Sequence, residues 1–320
     1  MYISSSSNPT ESRPIALFTE KFGDRVRFRE PLAPYLAYRV GGPADILVFP
    51  QNEEELLWLS TTAKQLCLTL TVIGVGTNLL VRDEGIRGIT ISLARAFQDI
   101  SLVERPAQQD EVWIKVGGGV EKPRLLEWTI SQGLKGLEFS AGVPGTIGGG
   151  IYMNAGTKYG CYGDILKELR LFDFEGGPRQ LARHEVHFGY REQNAVGNAL
   201  VTSAVFELSP GDSAAQRAEV DRIIAERAAK QPLDFPSCGS TFKNPEGHSA
   251  GRLIEKAGLK GLTVGGAQIS DKHANFILNK ENASAQDILK LIEIIREKVR
   301  ETFAVSLETE VIILGEDSNP

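Results

Sequence analysis

Gly74-Val75-Gly76-Thr77-Asn78-Leu79, running on from the apolar stretch Leu70–Ile73, is the segment on which the fold assignment turns. A strand that feeds a glycine loop is the setting of a dinucleotide-binding turn. The G-x-G-x-x-G fingerprint, however, requires a third glycine where Leu79 stands, which argues against a Rossmann domain. Two readings of the loop stay open. Its glycines can expose successive backbone N–H groups as a nest for a pyrophosphate, with Thr77 and Asn78 as side-chain donors. Alternatively, it is a tight strand turn that buries Leu79 and Leu80.

The flanks of this loop read as β-α-β. Asp45–Phe49 is a short buried strand, and Asn52 is placed to cap a helix with three glutamates in its first turn. Ile89–Leu93 is a third strand. Further on, Glu111–Val116 alternates as a strand and ends in Gly117–Gly119. A helix is expected from Pro123 to Gln132, stopped by Gly133. The second glycine loop, Ala141–Gly150, is too glycine-dense for a regular element and lacks the lysine of a P-loop. It reads either as a second wall of a dinucleotide site or as a glycine-rich crossover. Asn154 is placed to offer an amide to a ring edge.

Ile165–Phe174 and Ala199–Leu208 are longer alternating strands. The turn cluster at Ser209–Ser213 suggests a domain boundary near Pro210, followed by a helix presenting Val220, Ile223, Ile224 and Arg227 on one face. Helices are expected at 249–257 and from Ser284 to Val299, the latter opened by a capping-box-like Ser284 and Asp287. Strands are expected at 275–278 and 308–314.

Composition narrows the function classes. The 320 residues carry 35 Lys+Arg against 41 Asp+Glu, so the basic footprint of a nucleic-acid binder is lacking. No apolar run reaches the ~18 residues of a spanning helix. The polar stretch over residues 1–20 reads as a flexible tail rather than a secretory signal. Cys67, Cys161 and Cys238 form no CxxC pair, and the four histidines show no metal-ligand spacing. This points to a cytoplasmic protein with no metal, no disulfide framework, and no nucleic-acid or membrane partner. Of the 33 glycines, 13 fall between Gly117 and Gly163 and four between Gly74 and Gly88. That excess implies tight turns or loops that approach a ligand closely.

Four further segments carry reactive side chains. Tyr190-Arg191 in FGYR pairs an aromatic residue with a cation, either as a surface pair or as part of a site. Ser240 in Ser237-Cys238-Gly239-Ser240-Thr241-Phe242-Lys243-Asn244-Pro245 can donate a proton, or is simply a turn serine; no G-x-S-x-G is present. His273 in KHANF reads as a packed residue. Glu308 and Glu310 in LETEV, two apart on the expected strand, would share one face.

Taken in order, RVGGPAD (39–45), GVGTNLLV (74–81), GLEFSAGVPGTIGGGIYMNAG (136–156), FGYR (188–191), GSTFKNP (239–245), LIEKAGLKG with KHANF, and LETEV (307–311) closely resemble the UDP-N-acetylenolpyruvoylglucosamine reductase family over about residues 30–316. The resemblance implies an α+β chain. A vanillyl-alcohol-oxidase/PCMH-type FAD-binding domain would span 34–210, with subdomains 34–95 and 96–210. A smaller α+β substrate-binding domain would span 211–316. It implies non-covalent FAD, with NADPH as hydride donor and a UDP-sugar as substrate, in a monomer. Gly74, Gly76, Thr77, Asn78 and Leu79 would hold the pyrophosphate. Gly142, Pro144, Gly145, Thr146, Gly148 and Gly149, with Asn154, would line the flavin. Arg191, Ser240 as proton donor, and Glu310 (or else Glu308) would be catalytic. Tyr190, Lys230 and Asn244 would meet the UDP-sugar.

The chain departs from the family pattern after Arg191, where Glu192-Gln193-Asn194 follow. The short Arg191–Ser240 spacing matches a subtype without the inserted tyrosine-bearing loop. A flavin oxidase of the same fold and a non-catalytic flavin or UDP-sugar binder are the competing functions.

Overall fold

The computed structural model describes residues 9–103 and 111–316. Its first unit is a four-stranded sheet in the order Val26–Pro31, Pro43–Val48, Ile86–Ser92, Leu70–Ile73. The first pair is antiparallel and the other two are parallel. Parallel pairing needs a crossover, supplied by the helix Glu53–Leu66, whose Asn52 side chain accepts from the Glu55 N–H as expected of the cap. The expected β-α-β therefore forms, and Ile86–Ser92 inserts between its two strands. This strand begins three residues before the expected Ile89, because its pairing with Ala44 starts at Ile86.

The expected flexible tail is corrected in part. Residues 1–8 lie outside the described residues, but Pro9–Phe22 is a helix. Phe18 and Phe22 are buried, and their rings meet Trp58 edge-on at centroid distances of 5.2 and 5.3 Å. Two aromatic anchors outweigh the polar composition around them. Phe18→Ala is expected to lower stability by about 3–5 kcal/mol, read as a fall in the urea midpoint; an unchanged midpoint would mean that the helix does not belong to the core.

The second unit is an antiparallel sheet in the order Gly177–Ala182, Leu166–Asp173, Leu200–Pro210, Val112–Gly117, Ile100–Leu102, with Leu134–Lys135 pairing at the end of the long strand. The helix Lys122–Ser131 packs on it through Leu125, Leu126 and Ile130. The helix Ser213–Lys230 joins the same core through Val220 and Ile223. The expected boundary at Pro210 is thus corrected. The turn there reverses the chain and Asp212 caps the next helix, but that helix still buries its apolar face in the second unit, and the third unit begins only after it. Ile224, expected on the buried face, is 42% exposed.

The third unit combines the helices Ala250–Lys256 and Ala285–Phe303 with a small sheet, Thr263–Val264, Ala267–Ile269 and Ile277–Asn279. The Ser284/Asp287 capping box forms. Ile288, Leu291, Ile292, Ile295 and Val299 are buried together with Tyr38, Val40 and Leu80 of the first unit. The chain then returns: Ile312–Leu314 pairs in parallel with Leu79–Val81, the strand that leaves the first glycine loop. The expected strand at 308–314 is therefore shortened to its last three residues. Thr309 instead bridges Phe242.

Candidate active site

The glycine loops meet face to face. A Cβ on Gly74 would lie 2.9 Å from Thr146 Oγ1, and one on Gly145 would lie 2.8 Å from Thr77 Oγ1. Gly76 has φ +64°, and a Cβ there would sit 2.4 Å from the Tyr35 carbonyl oxygen. Only glycine admits backbone this close. Together the loops help line a cleft of about 1170 Å³, whose walls also include Leu70–Val72, Leu200–Val201, Cys238–Ser240 and Glu310.

Arg191 occupies a two-residue hairpin turn between the paired residues Phe188–Gly189 and Glu192–Gln193. Its φ of 59° lies in the left-handed region, a strain of the kind that concentrates at functional sites. The turn delivers its guanidinium to the cleft, where Nε donates to Glu310 Oε1 at 2.6 Å. Burial pushes the Glu310 carboxyl above its ordinary value, against the pull of Arg191 and Lys243.

Glu310 is held from behind. The Asn78 side chain donates to the Glu310 carbonyl at 3.0 Å, and the Glu310 N–H donates to the Thr241 carbonyl at 2.8 Å. Ser240 follows Gly239, whose φ is +74°. Asn275 clamps the Ser240 loop: its amide donates to the Phe242 carbonyl and accepts from the Phe242 N–H, while its own carbonyl accepts from the Thr241 N–H. No sequence argument singled out Asn275. Its signal was its place in KHANF beside His273. His273 is packed as expected, with its pKa lowered by burial and its ring edge-on to Phe276.

The cleft also holds Lys122 and Arg227. Two glycine loops of close-packed backbone, with Lys122, Arg191 and Arg227 among the lining, suit a long anionic dinucleotide such as FAD. Among the described residues no group of three His, Cys, Asp or Glu side chains is placed to hold a metal, and no helix is long and apolar enough to cross a membrane.

Comparison with known proteins agrees with this geometry. Residues 44–181 match the FAD binding domain family and residues 231–314 match the UDP-N-acetylenolpyruvoylglucosamine reductase C-terminal domain. The UDP-N-acetylenolpyruvoylglucosamine reductase of Clostridioides difficile is 43% identical, over 91% of this chain and 94% of that protein. The chain belongs to the UDP-N-acetylenolpyruvoylglucosamine reductase family. The enzyme of that name from Pediococcus pentosaceus is also 43% identical, over 90% of this chain and 94% of its own length. The crystal structure of the Thermus caldophilus UDP-N-acetylenolpyruvylglucosamine reductase superposes with a TM-score of 0.75 at 33% identity, covering 91% of this chain and 98% of that one. The C-terminal family model starts at 231, where the packing also divides the chain.

Within this reductase fold, the residues singled out by sequence fall into two groups. Gly74, Gly76, Thr77, Asn78, Leu79, Pro144, Gly145, Thr146, Gly148, Gly149, Arg191, Ser240 and Glu310 all line the cleft. The others sit off its walls. Asn154 is buried and spent on structure, donating to the Gly189 carbonyl and accepting from the Gly163 N–H; it anchors the Arg191 hairpin instead of presenting an amide to a ring. Gly142 leaves room for Arg227, whose Nε would lie 3.1 Å from a Cβ there. The Tyr190 hydroxyl accepts from the Asn244 N–H, the Asn244 side chain accepts from the Ala250 N–H, and Lys230 pairs with Glu226. Glu308 and Glu310 differ in exposure and in partner. The Glu308 side chain is 72% exposed and bound to Lys243, whereas Glu310 is 16% exposed. Arg191 pairs with Glu310, and Glu308 pairs with Lys243.

Proposed function

We propose that this chain reduces UDP-N-acetyl-3-O-(1-carboxyvinyl)glucosamine to UDP-N-acetylmuramate, a step in peptidoglycan precursor synthesis, using FAD and NADPH. The observation that carries this reading is the Arg191–Glu310 pair at 2.6 Å, set in one cleft with Ser240 and two glycine loops. The FAD-binding domain would comprise the first two units, and the third would cover the UDP-sugar. The whole would act as a cytoplasmic monomer.

Bound FAD would supply the hydride-transfer chemistry between NADPH and the vinyl carbon of the substrate. The glycine loops hold it through backbone N–H groups. Arg191 places positive charge where negative charge builds on the substrate carboxylate, and Glu310 fixes the direction of the guanidinium. A preoriented charge in a site with little water acts strongly on a developing anion. Ser240 Oγ gives its proton to the carbon that bears the ether oxygen. A hydroxyl is a weak acid, but a basic enolate within hydrogen-bond reach draws the proton from it.

The test is spectroscopic. The FAD-loaded protein should lose its flavin absorbance with NADPH in the absence of air and regain it on addition of the UDP-enolpyruvyl sugar. Reoxidation by oxygen as fast as by the sugar would mark an oxidase. No consumption of NADPH would mark a binding protein.

A further inference from the structure

Lys122 opens the helix Lys122–Ser131, and its side chain enters the cleft although the residue is only 6% exposed. Burial and its charged neighbours oppose its charge. Among the described residues no carboxylate pairs with it. Arg191 and Arg227 add like charge, and together with burial they lower its pKa to about 8. It stands at a helix N-terminus, the end that disfavours cations. An ammonium has three donors, and one of these is used, donating to the Pro144 carbonyl at 3.1 Å. The Tyr162 ring lies 5.9 Å away. A buried, unpaired cation destabilises a fold unless something that binds supplies the missing charge.

Its location says what that is. The Lys122 backbone N–H donates to the Gly145 carbonyl at 2.9 Å, so main chain and side chain both hold the Pro144–Gly145 step. A Cβ on Gly145 would lie 3.3 Å from Nζ and 2.8 Å from Thr77 Oγ1. Lys122 thus stands where the two loops join, in the same cleft as Arg191, whose charge opposes its own. Positive charge near a flavin ring tunes its electronics.

We propose that Lys122 is the cation that faces the isoalloxazine ring of bound FAD and favours its electron-rich, two-electron-reduced form. This rests on the FAD reading above. A charge aimed at the pyrophosphate would act equally on oxidised and reduced cofactor. A charge aimed at the ring acts more on the reduced form, and by linkage the difference appears as a shift in potential.

The test uses the full chain with Lys122→Met and Lys122→Gln. The glutamine keeps a donor for the Pro144 carbonyl but carries no charge. Each variant should bind reduced FAD about tenfold more weakly, relative to oxidised FAD, than the wild type does. For a two-electron couple this is a midpoint potential lower by ~30 mV. Without FAD, Lys122→Met should melt at a higher temperature than the wild type, because an unpaired buried charge is gone. Equal loss of affinity for both redox forms would overturn the proposal in favour of the pyrophosphate. Wild-type potential in Lys122→Gln, or a less stable cofactor-free Lys122→Met, would reduce Lys122 to a structural tie to Pro144. A wild-type protein that retains no FAD would instead sink the functional reading itself.

Discussion

Ser240→Ala is expected to leave the reduction of bound FAD by NADPH near the wild-type rate. It should slow reoxidation by the UDP-enolpyruvyl sugar by roughly 10²–10⁴, the usual range for removing a general acid. The two halves separate because the proposed proton transfer belongs only to the second. The structure makes the substitution clean. The loop around Ser240 is held by backbone bonds from Thr241 and Phe242 to Asn275 and from Glu310 to Thr241, none of which uses the Ser240 side chain. Stopped-flow absorbance of each half-reaction gives the answer. Equal slowing of both halves would show that alanine disturbs the cleft as a whole and would remove the proton-donor role. Asn275→Ala makes a useful contrast, since losing the clamp should disorder Ser240 and Glu310 together.

Glu310→Gln is the second large effect. The amide preserves the shape but removes the charge that orients Arg191, and turnover should fall by about 10²–10³, the scale of losing one preoriented electrostatic contact. The pH dependence separates this role from simple packing. Burial holds the Glu310 carboxyl above its ordinary range. As pH falls through that raised value, Glu310 takes up a proton and Arg191 loses its partner, so wild-type turnover should show an acid limb. Glu310→Gln should lack that limb and remain low throughout.

The stability sign follows from the same shift. The folded protein binds this proton more tightly than the unfolded chain. The contribution is therefore fully present below the ordinary carboxylate value and is lost as pH rises through the raised folded value. Melting temperatures across this window should fall less steeply with pH in Glu310→Gln than in the wild type. Identical slopes would mean that Glu310 titrates as an ordinary surface acid.

These two residues also show how far sequence reasoning reached. Ser240 was accessible because GSTFKNP places a hydroxyl after a loop glycine. Arg191 and Glu310 were accessible only through the order of motifs, since each is bland alone and they lie 119 residues apart. Glu310 was preferred to Glu308 by its place in LETEV, through the same order of motifs. In the fold the expected strand does not start until Ile312, Thr309 bridges Phe242, and Glu308 is left more exposed than Glu310. Asn154 is buried with its amide bonded to Gly189 and Gly163, while the Tyr190 hydroxyl and the Asn244 side-chain oxygen each accept a backbone N–H within the fold. Lys122 drew no notice, because a lysine at the start of a helix reads as a solvated residue until burial is known.

Local order was written in the chain itself. Caps at Asn52 and Ser284, the helix faces, the β-α-β start and the two glycine loops depend on neighbours within a few residues, and side-chain periodicity reports those directly. The glycine clustering likewise marked where backbone must pack closely. Tertiary structure decided what local pattern cannot encode. It packed the helix after Pro210 onto the preceding domain and buried Phe18 and Phe22 against Trp58. By pairing Ile312–Leu314 with Leu79–Val81, it carried Glu310 to Asn78 and to Arg191. Burial and long-range pairing depend on which surfaces meet. They therefore set which of several equally plausible polar residues faces the cleft and which is spent on holding it together.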